Sequence, residues 1–414
     1  MKRYWKLISL SLFTIVVWSG FFIQSTLAVN NYPEFIINSE DDQDELGSRM
    51  VISGDYRDAR DRLEHLTISN KGSDYLGDKT FLSQINEPFS SFEVNQLIKE
   101  NRGFMRGKRL EPGLFYQDDA SIVYANVDSD MTFRGYDSVD PSFVVDILDK
   151  KSGNRTSFSL KLPLDKKLDY SNISFVHLDE NKLQVVGNLS YFNGEKGIQE
   201  EELRIFTVDI DREELIDDEV ILSIEENVSE PQNEWTMIDV ISDDIGDRKA
   251  KYIVFMKAIW EVETLPNGEE KSSFKEAEFI AYNLESGEQK MFELPDDMQL
   301  DDTSKIYELK GEDLYLNKIE ENKLKIIGYN LSEQTKASEK TYAIPWENSE
   351  DNTFYSIKKD EVVIANQYKS YESEASIVVY DLKSDEKIYE GKVDVKNNKL
   401  QPNEELTIYE VNFH

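Results

Sequence analysis

The chain is dominated by an alternation of hydrophobic and polar residues with a period of two. Runs of this kind, bounded by Asn, Asp, Gly and Glu, include 121–126, 182–187, 252–256, 313–317 and 361–366. They are rich in β-branched and aromatic residues, which pack well on a pleated surface and favour strands. Helical spacing is confined to Ser91–Lys99, where apolar residues recur at intervals of three and four. The pattern predicts an all-β protein with one short amphipathic helix.

A short motif recurs at the ends of four of the predicted strands. In each copy an aromatic or β-branched residue precedes Asp or Asn, and Leu or Ile follows: Val208-Asp209-Ile210, Tyr282-Asn283-Leu284, Tyr329-Asn330-Leu331 and Tyr380-Asp381-Leu382. The three tyrosines are 47 and 51 residues apart. Four strands in about 40–50 residues are typical of one blade of a β-propeller. The pattern resembles the blades of bacterial exported propellers, a resemblance that names no functional family.

We therefore predict a β-propeller of about six four-stranded blades. The units are centred on 50–87, 120–163, 171–226, 235–296, 304–346 and 353–396. The strand predicted at Leu406–Phe413 would complete the first unit and remove its open edge. A seventh blade would form if 31–48 and 398–414 paired with each other, and tandem β-sandwich domains are the alternative architecture.

The first 28 residues predict a targeting segment. Met1–Lys6 is basic, Leu7–Ile23 is mostly apolar, and Thr26-Leu27-Ala28 places small residues where a signal peptidase cleaves. The alternative is an uncleaved membrane anchor formed by residues 7–23. In either case the basic flank stays inside, so we predict an extracytoplasmic protein, secreted or anchored. An acidic tether at 29–48 would then lead into a repeat domain at 49–414.

The composition limits the classes of binding partner that the protein can have. The chain has 82 acidic and 47 basic residues, a net charge of −35, and no cysteine. Without cysteine it forms no disulfide, thiolate metal site or cysteine nucleophile. Such an acidic protein repels nucleic acid and anionic lipid, so we predict no nucleic-acid partner and membrane contact only through the N-terminal segment. The predicted partners are a cell-envelope component or another exported protein.

No catalytic motif can be assigned from the sequence. The three histidines, His65, His177 and His414, form no metal-binding or nucleophile motif, and His177 lies in a strand run that predicts a packed residue. Paired carboxylates could hydrolyse a polysaccharide, but the sequence does not identify which of the 82 acids would form the pair.

Acidic clusters are the candidates for a cofactor site, and calcium is the ion they would take. The first cluster contains Asn126, Asp128 and Asp130, and the second contains Asp243, Asp244 and Asp247. Calcium prefers several oxygen ligands on a sharply turning backbone, although neither segment has the full pattern of a calcium loop. The alternative is that each is a solvated acidic turn. No other cofactor is predicted.

One basic stretch interrupts this acidic chain. It contains Lys99, Arg102, Arg106, Lys108 and Arg109, in a long connection between the first two predicted units. Gly103 and Gly107 favour a loop here rather than a helix. Long connections often carry function, so the stretch is a candidate docking site for an anionic envelope ligand. The alternative is that it neutralises the protein's own acids.

These observations predict a non-enzymatic binding or scaffold protein of the bacterial-type cell envelope, with an unidentified ligand. An envelope polysaccharide hydrolase and the ectodomain of a sensory or accessory membrane protein are the alternatives.

Overall fold

The computed structural model describes most of the chain. The described residues are 12–14, 32–39, 45–78, 91–128, 141–164, 166–193, 197–227, 233–242, 245, 251–264, 270–298, 306–346, 353–358, 360–367, 375–396, 400–401 and 403–413. They form 25 strands and several short helices, so the all-β prediction is confirmed.

The strands assemble into six antiparallel sheets, numbered I to VI. Sheet I contains β2 (Met50–Arg57), β3 (Leu63–Ser69), β4 (Gly72–Tyr75) and β25 (Glu405–Phe413). Sheet II contains β5 (Phe115–Gln117), β6 (Ser121–Asp128), β7 (Ser142–Asp149) and β8 (Arg155–Lys161). Sheet III contains β9 (Tyr170–Asp179), β10 (Lys182–Asn193), β11 (Ile198–Asp209) and β12 (Glu214–Asn227).

The remaining sheets follow in the same order. Sheet IV contains β13 (Glu234–Ile241), β14 (Tyr252–Thr264), β15 (Glu270–Asn283) and β16 (Gln289–Phe292). Sheet V contains β17 (Ile306–Lys310), β18 (Asp313–Glu320), β19 (Lys323–Asn330) and β20 (Thr335–Ala343). Sheet VI contains β21 (Thr353–Lys358), β22 (Glu361–Asn366), β23 (Ala375–Asp381), β24 (Lys387–Val395) and an added β1 (Phe35–Ser39). Five of the sheets contain four consecutive strands and sheet I completes its four with β25, so the six sheets are the blades of a propeller-like fold, as the repeat predicted.

The chain divides into two compact units. One comprises 1–89 and 344–414 and contains sheets I and VI, and the other comprises 90–343 and contains sheets II to V. Within the second unit, buried side chains fill the spaces between sheets II and III, III and IV, and IV and V. Sheets I and VI share a core of their own.

The first and last strands of the described residues both join sheets in the first unit. The C-terminal strand β25 pairs with β2, from Met50 opposite Phe413 to Arg57 opposite Glu405, which confirms that it completes the first repeat. Strand β1 pairs with β24 instead, with Phe35 opposite Val395. Because the two terminal strands lie in different sheets, they do not form a seventh blade.

The repeated Asp or Asn ends the third strand of its sheet by accepting hydrogen bonds from the following turn. Asn283 Oδ1 accepts from the backbone N–H groups of Glu285 at 3.0 Å and Ser286 at 2.9 Å. Asp209, Asn330 and Asp381 make the same kind of contact. Four residues later each turn takes a positive φ, at Glu213, Gly287, Gln334 and Asp385.

The Leu or Ile of the motif ties the third strand to the start of the second. The Leu331 N–H donates to Glu312 O at 2.9 Å, and Glu312 directly precedes β18. Ile210, Leu284 and Leu382 donate in the same way to the residue before the second strand of their sheets. The motif therefore makes the same backbone hydrogen bonds in four sheets, and this structural role is sufficient to explain why it recurs.

Three α-helices complete the described secondary structure used below: α1 (Glu45–Arg49), α2 (Phe92–Glu100) and α3 (Arg102–Met105). The helix predicted at Ser91–Lys99 is confirmed as α2, and the Ser91 Oγ caps it by accepting from the Val94 N–H at 3.4 Å. The loop predicted across Gly103 is wrong, because 102–105 form a helical turn. Phe104 and Met105 of this turn pack into the core, and their burial outweighs the low helix propensity of Gly103.

Candidate functional site

The basic stretch is built on a helical insert, α2 and α3, that precedes sheet II in the chain. The insert is anchored by its apolar side: α2 buries Val94, Leu97 and Ile98, and α3 buries Phe104 and Met105. All five belong to the core shared by sheets II and III. The charged side chains of the insert therefore project from helices that are packed against the core.

Lys108 turns inward from this insert. Its side chain is only 4% exposed and forms an ion pair with Asp146 of β7, which is 7% exposed. The ammonium also lies over the ring of Phe104, 4.2 Å from its centroid, and 4.8 Å from that of Tyr124. Arg155 donates to Asp146 through Nη2 at 2.5 Å and Nε at 3.0 Å.

The electrostatics of this buried group follow from burial and pairing. Burial lowers the pKa of Lys108, while its hydrogen bond to Asp146 opposes the shift. Burial would raise the pKa of Asp146, but hydrogen bonds from Arg155, Lys108 and Ser157 together hold that pKa at about 2. Lys108 is therefore neutralised inside the protein and offers no charge to a ligand.

Arg109 is exposed but is also paired. Its Nη2 and Nε donate to Glu111 Oε1 at 2.6 and 3.2 Å. Both side chains are 46% exposed, so the pair is solvated and contributes little to stability. For Lys108 and Arg109, the structure shows the pairing with the protein's own acids that was the alternative prediction.

The remaining three cations are exposed, and we call Lys99, Arg102 and Arg106 the basic ridge. Lys99 lies in the last turn of α2, Arg102 begins α3, and Arg106 directly follows α3. In the part of the chain that the structure describes, none of the three side chains makes an ion pair or a side-chain hydrogen bond. Of the five predicted docking residues, these three keep the charge that an anionic ligand would contact.

Only two of the six predicted calcium ligands lie within the described residues. Asn126 and Asp128 lie two apart in β6, so both side chains leave the same side of the strand. Asp130, Asp243, Asp244 and Asp247 lie outside the described residues. Within those residues, the structure places no group of three or more His, Asp or Glu side chains where they could hold a metal ion. Calcium binding stays a prediction.

His177 confirms the prediction of a packed residue. It is 9% exposed, and its ring makes an edge contact with Tyr116 at 5.4 Å and stacks on Phe175 at 6.1 Å. The surrounding rings account for its position in β9 without a ligand.

A second charged cluster, on sheet III, was not predicted. Arg204 lies between Glu202 and Asp218, with its Nε 2.8 Å from Glu202 Oε2 and its Nη1 2.8 Å from Asp218 Oδ2. Lys166 Nζ adds a bond of 3.0 Å to Glu202 and also contacts Glu200. Burial raises the pKa of Asp218. Burial would also raise the pKa of Glu202, but its bonds to Lys166 and Arg204 lower that pKa. Glu200, Glu202 and Arg204 at alternate positions of one strand were the signal for this cluster.

An aromatic row on sheet IV was also not predicted, and it comprises Trp235, Trp260 and Phe274. The rings of Trp235 and Trp260 stack with centroids 5.6 Å apart and planes 8° apart. Phe274 meets Trp260 edge-on at 5.5 Å and 81°. The only signal in the sequence was that three neighbouring strands contain aromatic residues, one in β13 and three each in β14 and β15.

A cavity of about 730 Å³ opens between sheets IV and V. Its floor includes Phe279, Phe292 and Tyr329, and the last two rings stack at 5.5 Å. Glu278 and Glu293 also line it, so the cavity combines an aromatic floor with acidic groups.

Comparisons with known proteins identify no family. No protein-family model matches the chain, and no curated protein matches it. Solved structures show only distant likenesses. A cobalt-substituted apocarotenoid oxygenase from Synechocystis gives a TM-score of 0.36 at 10% identity, covering 90% of this chain and 74% of that one. In a variant of the same oxygenase the match spans only 61% of that chain, with a TM-score of 0.33 at 10% identity and 70% of this chain covered.

Two other solved structures have different titles but similarly low scores. The polysaccharide lyase Uly1 gives a TM-score of 0.33 at 8% identity, covering 68% of this chain and 57% of that one. Apo AztD from Citrobacter koseri gives 0.27 at 10% identity, covering 87% and 98%. Likenesses at this level carry no argument about activity or ligand. The assignment of the fold rests on the six sheets themselves.

The predicted targeting segment is almost entirely outside the described residues. Among the residues that are described, no helix is both long enough and apolar enough to cross a membrane. Cleavage and anchoring of residues 7–23 are therefore untested.

Proposed function

We propose that the protein is a non-enzymatic binding protein of the bacterial-type cell envelope, and that the basic ridge is its surface for an anionic envelope polymer. The observation that carries the proposal is the division of the five cations. Lys108 and Arg109 are paired with acids of the same chain, whereas Lys99, Arg102 and Arg106 are exposed without such partners among the described residues.

The physical argument concerns the potential around a strongly acidic protein. A chain with a net charge of −35 repels polyanions at long range, so an anionic ligand needs a local reversal of sign. The basic ridge supplies that reversal on a support whose apolar residues are buried. Arg102 and Arg106 can each offer two parallel N–H groups to a phosphate or carboxylate. Lys99 adds a point charge beside them.

The test is a triple substitution of Lys99, Arg102 and Arg106 to Ser. The matched control changes Lys383, Lys387 and Lys396 to Ser, which removes the same charge from residues paired with Asp360, Glu390 and Glu34. Polyphosphate and polygalacturonate serve as soluble probes that distinguish phosphate from carboxylate recognition. We expect the ridge variant to lose about tenfold or more in affinity for one probe, about 1.4 kcal/mol. The salt dependence of the remaining binding should fall, because fewer counterions are released.

The control decides between a site and a general charge effect. We expect the control variant to bind within about twofold of the wild type, because its three lysines are already paired with carboxylates of the same chain. Equal weakening in both variants, or no binding of either polymer by the wild type, would refute the ridge as a binding surface.

The envelope location is part of the same proposal and has its own test. A basic N-terminal flank, an apolar run and a small-residue exit support export of the chain. N-terminal sequencing of the mature protein should begin at Val29 if the segment is cleaved. An intact N-terminus in the membrane fraction would instead support anchoring, and an intact N-terminus in the cytosol would contradict export.

A further inference from the structure

The aromatic row forms a ladder across three neighbouring strands. Trp235 of β13 lies directly opposite Trp260 of β14, and Trp260 lies opposite Phe274 of β15. A register shift between Ile259 and Trp260 gives β15 an extra residue at this point. The ladder therefore has a defined geometry, with two parallel indoles followed by one perpendicular ring.

The row lies at the margin of a core. Trp260 and Phe274 are partly buried and pack against the cluster between sheets IV and V. Strands β14 and β15 have 13 and 14 residues, whereas β18 and β19 of sheet V have eight each. The longer strands carry the aromatic row beyond the centre of the shared core, so the row is only partly covered.

Trp235 ends the row on its exposed side. Among the described residues, β13 is the edge strand of sheet IV, with β14 on one side. On its other side, Glu226 of β12 accepts a hydrogen bond from the Thr236 N–H at 3.3 Å. Because one face of the Trp235 ring stacks on Trp260, the opposite face points past this edge of the sheet. Trp235 is 37% exposed, which is consistent with an open ring face.

The charges near the row are directed to the other side of the sheet. Glu234 and Glu261 each adjoin a Trp of the row, so strand alternation places their side chains on the opposite face. Both are held by Lys275, whose Nζ lies 2.6 Å from Glu234 and 3.8 Å from Glu261. The residues two positions along on the aromatic side, Met237 and Ala258, are uncharged. These two positions therefore present no charge to a ligand, and the Glu226 carboxylate at this edge is engaged by the Thr236 N–H.

From this geometry we infer that the aromatic row is a binding platform for a neutral saccharide, with one pyranose ring stacked on the open face of Trp235. The C–H bonds on the flat side of a pyranose carry partial positive charge, which the negative face of an indole attracts. The Trp260 Nε1 is buried and has no acceptor among the described residues, so the contact proposed for the saccharide is with the Trp235 ring. This platform is distinct from the basic ridge and from the anionic polymer proposed there.

The test is titration of the whole protein with cellohexaose and with the hexamer of N-acetylglucosamine, followed by tryptophan fluorescence and calorimetry. We expect at least one of them to bind, and Trp235→Ala to weaken that binding about tenfold or more, as for the loss of one stacked ring. Trp235→Phe keeps an aromatic residue in the same strand pair and should bind with intermediate affinity. The matched control is Phe192→Ala, which removes another exposed aromatic ring, 51% exposed, from sheet III.

The variants separate binding from a structural role. Thermal unfolding of each variant shows whether it is folded. If Trp235→Ala does not fold, the binding test is made with Trp235→Phe. The inference is overturned if neither saccharide binds the wild type up to about 10 mM. It is also overturned if the folded Trp235 variants bind as the wild type does, or if Phe192→Ala weakens binding equally.

Discussion

The cations of the basic stretch carry the same charge in opposite environments: Lys108 forms the buried half, and Lys99, Arg102 and Arg106 form the exposed half. Lys108 is 4% exposed and is held between Asp146 and two aromatic rings, whereas Arg102 and Arg106 are exposed and have no ion pair among the described residues. The difference is set by which residues the core takes in. Phe104 and Met105 pack into the core and Lys108 lies beside the Phe104 ring, whereas Lys99, Arg102 and Arg106 lie on the exposed side of the two helices.

The comparison shows that a run of positive charge in a sequence overstates the charge available to a ligand. A buried cation must have a partner, because the free energy of leaving it uncompensated is several kcal/mol. An exposed cation has no such requirement. The buried half of the stretch should therefore respond to substitution through stability, and the exposed half through binding.

The largest expected effect is on the buried half. Asp146→Leu leaves Lys108 without its carboxylate and should lower the free energy of unfolding by about 3 kcal/mol or more. The double variant Lys108→Met with Asp146→Leu removes both charges and should recover most of the loss. Urea unfolding measures both. A double variant as unstable as the single one would show that the charge pair is not the cause.

Acid should remove part of the same stabilisation. The pKa of Asp146 is about 2 in the folded protein, below the ordinary value for Asp, so its contribution is complete above about pH 4 and is lost as the pH falls toward 2. The expected loss is about 2 kcal/mol. Urea unfolding at about pH 5 and about pH 2.5 should show it in the wild type. The Lys108→Met, Asp146→Leu double variant is the control for the other carboxylates and should lose less over the same interval.

The smallest effects are expected at two exposed cations, the paired Arg109 and the unpaired Arg102 of the basic ridge. Arg109→Ser breaks a solvated pair with Glu111 and should cost less than about 1 kcal/mol of unfolding free energy. Arg102→Ser should change that free energy by no more than about 0.5 kcal/mol. Thermal or urea unfolding measures both changes. If Arg102→Ser destabilised the protein as strongly as Asp146→Leu does, the basic ridge would be part of the structural framework rather than a free surface.

The sequence predicted the parts of the fold that depend on local pattern. The alternation in β18 and β22 marks strands, and the Asn330-Leu331 step marks a turn whose hydrogen bonds are made within a few residues. The helical spacing at Val94, Leu97 and Ile98 gave α2 for the same reason. In these segments each residue's environment is fixed by its near neighbours.

The parts that failed depend on contacts between distant residues. Nothing near β1 in the sequence shows that it pairs with β24, and nothing near Lys108 shows that Asp146 lies beside it. Gly103 argued for a loop because the burial of Phe104 and Met105 was not visible in the local pattern. The aromatic row was missed because Trp235, Trp260 and Phe274 meet only when three strands are placed in register.

The pairing of β25 with β2 has a consequence for synthesis of the chain. Sheets II to V join strands that follow one another, so each sheet can form as it emerges from the ribosome. Strand β2 can pair with β25, where Met50 lies opposite Phe413, only after the end of the chain has been made. Until residue 405 has been made, one edge of β2 has no partner strand. An unpaired edge is a template for other chains. A product released early would therefore be prone to aggregate through β2, even though most of its sheets were complete.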